Sequence, residues 1–180
     1  MVLLLLAISF NTFSQTTIYS ESFTSGFGSW TIASAGPGTG IWINGSNATH
    51  STGATGNYMY SQMYGGNYNN DTDIVATSPA IDLTGYNTIT LDLDIWYNTE
   101  SGWDGMKVEY SLNNGSTWAD LGTIGANWYN HTDVDAFSNG EDGWSGNSSG
   151  WVPRDINLST EDIGFESATQ SQQMILTLGI

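Results

Sequence analysis

The stretch TITLDLDIWYNTESGWDGMKVEYSLNNGSTW, residues 88–118, decides the fold class. Over residues 88–97, Ile89, Leu91, Leu93 and Ile95 alternate with Thr90, Asp92, Asp94 and Trp96. A period of two sends successive side chains to opposite faces, so this is a strand with one face in a core and one in solvent. Half-buried strands of that kind belong to antiparallel sheets. Residues 106–112 alternate likewise, Met106, Val108 and Tyr110 against Lys107, Glu109 and Ser111. They end at Asn113-Asn114-Gly115. Asn-Gly tolerates positive φ at both central positions and predicts a tight turn into a further strand over 116–124. Between the first two strands lie Glu100 and Asp104, close in sequence to Glu109 and to the single lysine, Lys107. That cluster admits three readings: a catalytic carboxylate pair, a metal site, or the decorated end of a β-hairpin.

Outward from this stretch, Gly, Asn, Ser and Thr interrupt the chain every few residues and no window holds a helical period. Further strands are expected at 18–23, 40–43, 58–63, 73–77, 152–158 and 174–180. Residues 16–180 should therefore form a single all-β domain, a two-sheet antiparallel β-sandwich, with a jelly roll as the usual arrangement. Two loops are long, 45–57 and 125–150, and long loops in compact domains tend to be functional or mobile. The last residues, MILTLGI, form an apolar run without a closing turn. They predict a domain truncated at its C-terminus.

Residues 1–15, MVLLLLAISFNTFSQ, carry an apolar run too short to span a bilayer, which takes roughly 20 residues. The run fits the core of a secretory signal peptide, which makes the protein secreted, extracellular or cell-surface. No Lys or Arg precedes it, so the leader is expected to be clipped or Met1 is not the natural start; a buried first strand is the alternative. There is no cysteine, hence no disulfide framework, which in an exported protein favours a bacterial surface. The net charge of −16 comes from a shortage of cations, 2 Lys and Arg against 18 Asp and Glu. Such a chain repels nucleic acid and anionic lipid, whose phosphates need Lys and Arg clusters. Partners should be extracellular protein or glycan, with no nucleic acid and no membrane insertion.

His50 and His131 stand far apart and outside any HExxH pattern, so zinc has no ready ligand set. There is no nucleophilic Cys and no Gly-x-Ser-x-Gly elbow. Glycoside hydrolysis needs two carboxyls about 5–9.5 Å apart, and Asp92 and Asp94 share a strand face roughly 7 Å apart. The Glu-x-Asp-x-x-Glu pattern of sandwich glycosidases is broken here at its first and last acids, by Asp92 and Tyr97. Solvated aspartates, with Lys107 crossing from the next strand to Asp94, are the plainer reading. Calcium takes several loop oxygens, and two acidic loops offer them: one with Asp71 and Asp73, one with Glu100 and Asp104. Acidic loops in an acidic protein need no metal, so both readings stand. Of eight Trp and nine Tyr, the loop residues Trp128, Tyr129, Trp144 and Trp151 could build a sugar-stacking platform, or anchor their loop to the core.

The opening Ile18-Tyr19-Ser20-Glu21-Ser22-Phe23 with Trp30, the segment Thr77-Ser78-Pro79-Ala80-Ile81-Asp82-Leu83, and residues 91–118 together resemble a family of secreted bacterial domains. These are the MAM-like jelly rolls of immune-inhibitor-A-type peptidases and of Bacteroidota surface proteins. The resemblance runs from about residue 17 to the end, with its most specific part in 91–118. It implies a concanavalin-like or galactose-binding-like sandwich, calcium-supported and non-catalytic, serving adhesion or assisting a peptidase within a larger exported protein whose neighbouring domains are covalently linked. Glu100 and Asp104 match the family's acidic pair by position, and Glu21 an acid near the first strand. The acid usual after the opening aromatic is Thr24 here, a departure from the pattern.

Overall fold

The computed structural model describes residues 15–34, 42–46, 56–61, 72–86, 88–125, 127–137, 140–159 and 173–179. Residues 1–14 of the expected leader, the 47–55 part of the first long loop with His50, and Asp71 lie outside the described residues. Eleven strands run through the described residues, with no helix among them: β1 (Thr31–Ser34), β2 (Trp42–Gly45), β3 (Tyr58–Ser61), β4 (Ile74–Thr77), β5 (Ile81–Asp82), β6 (Thr88–Ile95), β7 (Gly105–Ser111), β8 (Ala119–Asp120), β9 (Trp144–Ser145), β10 (Val152–Ser159) and β11 (Gln173–Gly179). All named strand pairings are antiparallel. The fold is all-β, built of several antiparallel sheets in a β-sandwich-like manner.

The main sheet runs β1-β4-β11-β7-β8, with β5 also on β11 and β9 also on β7. β4 and β5 are one strand broken at Pro79. Thr77 faces Thr177 and Ile81 faces Met174, so four steps along one strand match three along the other. The extra residue is a bulge, placed where proline cannot donate to a ladder. β6 pairs with β10 over its whole length, from Ile95 opposite Val152 to Thr88 opposite Ser159. Its alternation is as the sequence predicts: Thr88, Thr90, Asp92 and Asp94 are exposed, Ile89, Leu91 and Leu93 are half-buried, and Ile95 is buried. The apolar face packs, with Val152 and Ile156, against a core that includes Ile74, Val108, Leu121 and Leu158.

Three expectations give way. β6 and β7 are not a hairpin: β6 belongs with β10 and β7 with β11, so residues 96–104 cross between sheets. Lys107 accordingly pairs with other acids than Asp94. Residues 18–23 are irregular, because Phe23 takes a positive φ of 56° and its N–H is capped by the Glu21 carboxylate at 2.8 Å. Of the expected 116–124 strand only Ala119–Asp120 forms a strand; Gly122, at φ 82°, then turns the chain away, and Ile124 makes an isolated bridge to Tyr129. The Asn-Gly turn is as expected, with Asn114 at φ 57° and Gly115 at φ 79°.

Candidate functional site

The crossing segment is held on both flanks. Its own turn is closed by Trp103 and Asp104 N–H groups donating to the Glu100 carbonyl at 3.0 and 2.9 Å. On one side Thr99 N–H donates to the Gly146 carbonyl at 2.8 Å, and Gly102 N–H donates to the Ser145 hydroxyl at 2.8 Å. On the other side the Gly102 and Trp103 carbonyls accept from Asp135 and Ala136 N–H groups at 3.0 and 2.8 Å. Gly102 needs its φ of 82°, and the His131 ring lies against it. The backbone is thereby fixed while the Trp103 ring stays 59% exposed.

Glu100 and Asp104 thus sit in one ordered turn, but its carbonyls are already in use. The Asp104 carbonyl accepts from Thr99 Oγ1 at 2.9 Å and Ser145 Oγ at 2.6 Å. A cation here would be held through the carboxylates. Asp73 is exposed beside β4, and Glu21 is occupied as the cap of Phe23. These acids are not brought together: among the described residues, no group of three His, Cys, Asp or Glu is arranged to hold a metal ion.

The carboxylates that do converge were not singled out as a set by the sequence. Lys107 Nζ donates to Glu109 at 3.0 Å, to Asp120 at 2.9 Å, and to Glu141. Its Nζ also lies 5.4 Å from the centre of the Phe137 ring, within cation–π range. Burial alone would lower the lysine pKa. Hydrogen bonds to Glu141, Asp120 and Glu109 outweigh burial and hold it well above the usual lysine range. The cluster ties β7 to β8 and to the 125–150 loop. Sequence order hides it, since Asp120 and Glu141 reach Lys107 across 13 and 34 residues.

The aromatics of the same loop face inward. Trp128, Tyr129 and Trp144 are 5%, 1% and 0% exposed, with ring centres 4.9–5.7 Å apart. Trp128 Nε1 donates to the Leu121 carbonyl at 2.6 Å and Trp144 Nε1 to the Trp128 carbonyl at 2.8 Å. The Tyr129 hydroxyl accepts from Val108 N–H at 2.9 Å and donates to Val108 C=O at 3.0 Å. Burial raises its pKa well above the usual phenol range. A sugar-stacking platform needs exposed ring faces, so these three are core anchors instead. The fourth expected member, Trp151, is half-buried and stacks edge-on against Tyr58 at 5.1 Å, on β3.

Asp92 and Asp94 are exposed on the outer face of β6, opposite Asp155 and Pro153. With Leu93 and Arg154 these residues line a shallow depression of about 150 Å³.

Against protein-family models, curated proteins and solved structures, the chain has no match. Its site is therefore read from geometry. Of the aromatic side chains above, Trp103 is the one presented to solvent on a fixed backbone. A signal for it exists in the sequence: Trp103 sits between Gly102 and Asp104, outside both alternating strands, where no core position accounts for a large ring.

Proposed function

We propose that this chain is a non-catalytic binding or spacing module of a larger exported protein, serving adhesion or assisting a peptidase, and folded as a MAM-like jelly roll. One observation carries this reading. The groups best suited to chemistry, Lys107 with its three carboxylates and the Trp128–Tyr129–Trp144 cluster, are spent on fixing a long loop to an antiparallel sheet. A fixed loop on a rigid β scaffold is the arrangement of a recognition surface. The all-β architecture and the strong negative charge fit an extracellular setting.

A calcium ion at Glu100 and Asp104 belongs to the same proposal, supported by the two acids sharing one ordered turn. A higher melting temperature in calcium than in chelator is the expected result there. The glycosidase reading rests on Asp92 and Asp94, whose exposed positions over a shallow depression favour a solvated sheet face.

The experiment is to present the purified chain to immobilised extracellular proteins and glycans while assaying polysaccharide and peptide hydrolysis. Saturable binding without turnover is expected. Turnover lost in Asp92→Asn or Asp94→Asn would overturn the module reading.

A further inference from the structure

We infer that the 99–104 turn is a docking point for a cationic segment of a partner protein, with Trp103 as the aromatic that receives a lysine or arginine side chain. This rests on the binding-module reading and names the class of partner. Three observations lead to it. First, Trp103 is 59% exposed on a backbone held from three directions, by its own turn, by Ser145–Gly146 and by Asp135–Ala136. A large ring exposed on an ordered loop has already lost the backbone entropy that binding would otherwise cost, which is the usual character of an interface anchor.

Second, the surroundings fix the sign of the ligand. Glu100 and Asp104 flank the ring in sequence, and Asp135, exposed, is hydrogen-bonded through its N–H to the residue before it. The whole chain carries −16 with two cations, and Lys107 already faces three carboxylates. The field at this turn attracts cations and repels acids, which speeds encounter with a basic segment. Third, Trp is the aromatic whose face binds a cation best, and acids near it in sequence add favourable charge for the same ammonium or guanidinium. Neutral sugars would use the ring but gain nothing from the field.

The probe is a Gly-Lys repeat peptide, with its fully acetylated counterpart, titrated calorimetrically against the whole chain in calcium-free buffer. Binding of the charged peptide is expected, weaker at higher salt, with little for the acetylated one. Trp103→Ala should weaken it about 3- to 30-fold, the range of a partly exposed cation–π contact. Trp118→Ala, at the far end of β7 and 38% exposed, should leave it unchanged. Trp103→Lys, which sets a cation where the ligand's would sit, should weaken it further. Both Trp103 variants should melt with the parent, since the ring is mostly in solvent.

Equal losses in Trp103→Ala and Trp118→Ala, or none in either, would overturn the inference by reducing the binding to general charge attraction. So would an absence of peptide binding. Trp103-dependent binding of a neutral oligosaccharide without the peptide would also overturn it, while leaving the module reading intact. Failure of that reading would show instead as turnover.

Discussion

Between β9 and β8, β7 passes two residues, Lys107 and Val108, and the Val108 N–H meets the Tyr129 hydroxyl rather than a strand. Its carbonyl is shared by Leu121 N–H at 2.8 Å and the same hydroxyl. Removing that oxygen leaves a buried N–H without a partner, for which the cost is about 1–3 kcal/mol. Tyr129→Phe should therefore lower the unfolding free energy by that amount, seen as a lower urea midpoint at unchanged slope; an unaltered midpoint would mean that the hydroxyl is not what seals the edge. Gly122 is a second such position. A side chain there would need a φ of 82° and would bring Cβ within 2.6–2.7 Å of Trp128 and Ile156. Gly122→Ala should cost about 1–3 kcal/mol in the same measurement. Neither role could be read from sequence. Tyr129 sits in a polar run with no period to mark it as buried, and its partner is 21 residues away.

At the scale of elements, the local regularities were legible and the long-range pairings were not. Alternation in β6 and β7 and the Asn114-Gly115 turn are set by neighbours in sequence, so the pattern declares them. That β6 lies with β10, and β7 with β11, depends on contacts 57–72 residues apart, for which alternation carries no address. The same limit hid the Lys107 cluster and left the loop tryptophans with two readings, platform or anchor; anchoring, the plainer of the two, is what the structure shows for Trp128 and Trp144. Their anchoring predicts how the loop fails. Asn130 copies a strand, its amide donating to the Ser145 carbonyl at 2.9 Å and accepting from Ser145 N–H at 3.0 Å. With β7 paired on its other edge, β9 is held from both sides. Trp144→Ala should cost about 3–5 kcal/mol. It should also raise amide exchange in 127–145 more than in β6 and β10. Uniform acceleration throughout would show that the loop and sheet open together.

For the whole molecule, the two large upward pKa shifts, of Lys107 and Tyr129, act on the alkaline side. Lys107 keeps its proton in the fold to higher pH than when unfolded, and so does Tyr129. A group whose folded pKa is raised gives its full contribution below the unfolded value. It loses that contribution as pH rises toward the folded one. The unfolded values are about 10 for tyrosine and 10.4 for lysine, so stability should hold to about pH 10 and fall beyond it. Lys107→Met should flatten part of that fall. It should also cost about 1–3 kcal/mol at neutral pH, less than a fully buried pair, because its three carboxylates remain 25–33% exposed.

Salt should act on the molecule in the opposite sense from its effect on an ordinary ion pair. With a net charge of −16, most carboxylates meet other carboxylates across distances comparable to the screening length, about 10 Å at 0.1 M. The Lys107 contacts are close to 3 Å and half-sheltered, so screening weakens them less than it relieves the long-range repulsion. Raising sodium chloride from about 0.01 M to about 0.5 M should therefore raise the melting temperature. A fall would show that the Lys107 cluster outweighs the surrounding repulsion. Repeating the melt at fixed ionic strength with about 1 mM calcium separates screening from a bound ion. A further rise that Glu100→Gln with Asp104→Asn abolishes would place calcium at the crossing turn. A rise that survives the double substitution would move it elsewhere, and no rise at all would sink the calcium proposal while leaving the cationic docking point at Trp103 to its own test.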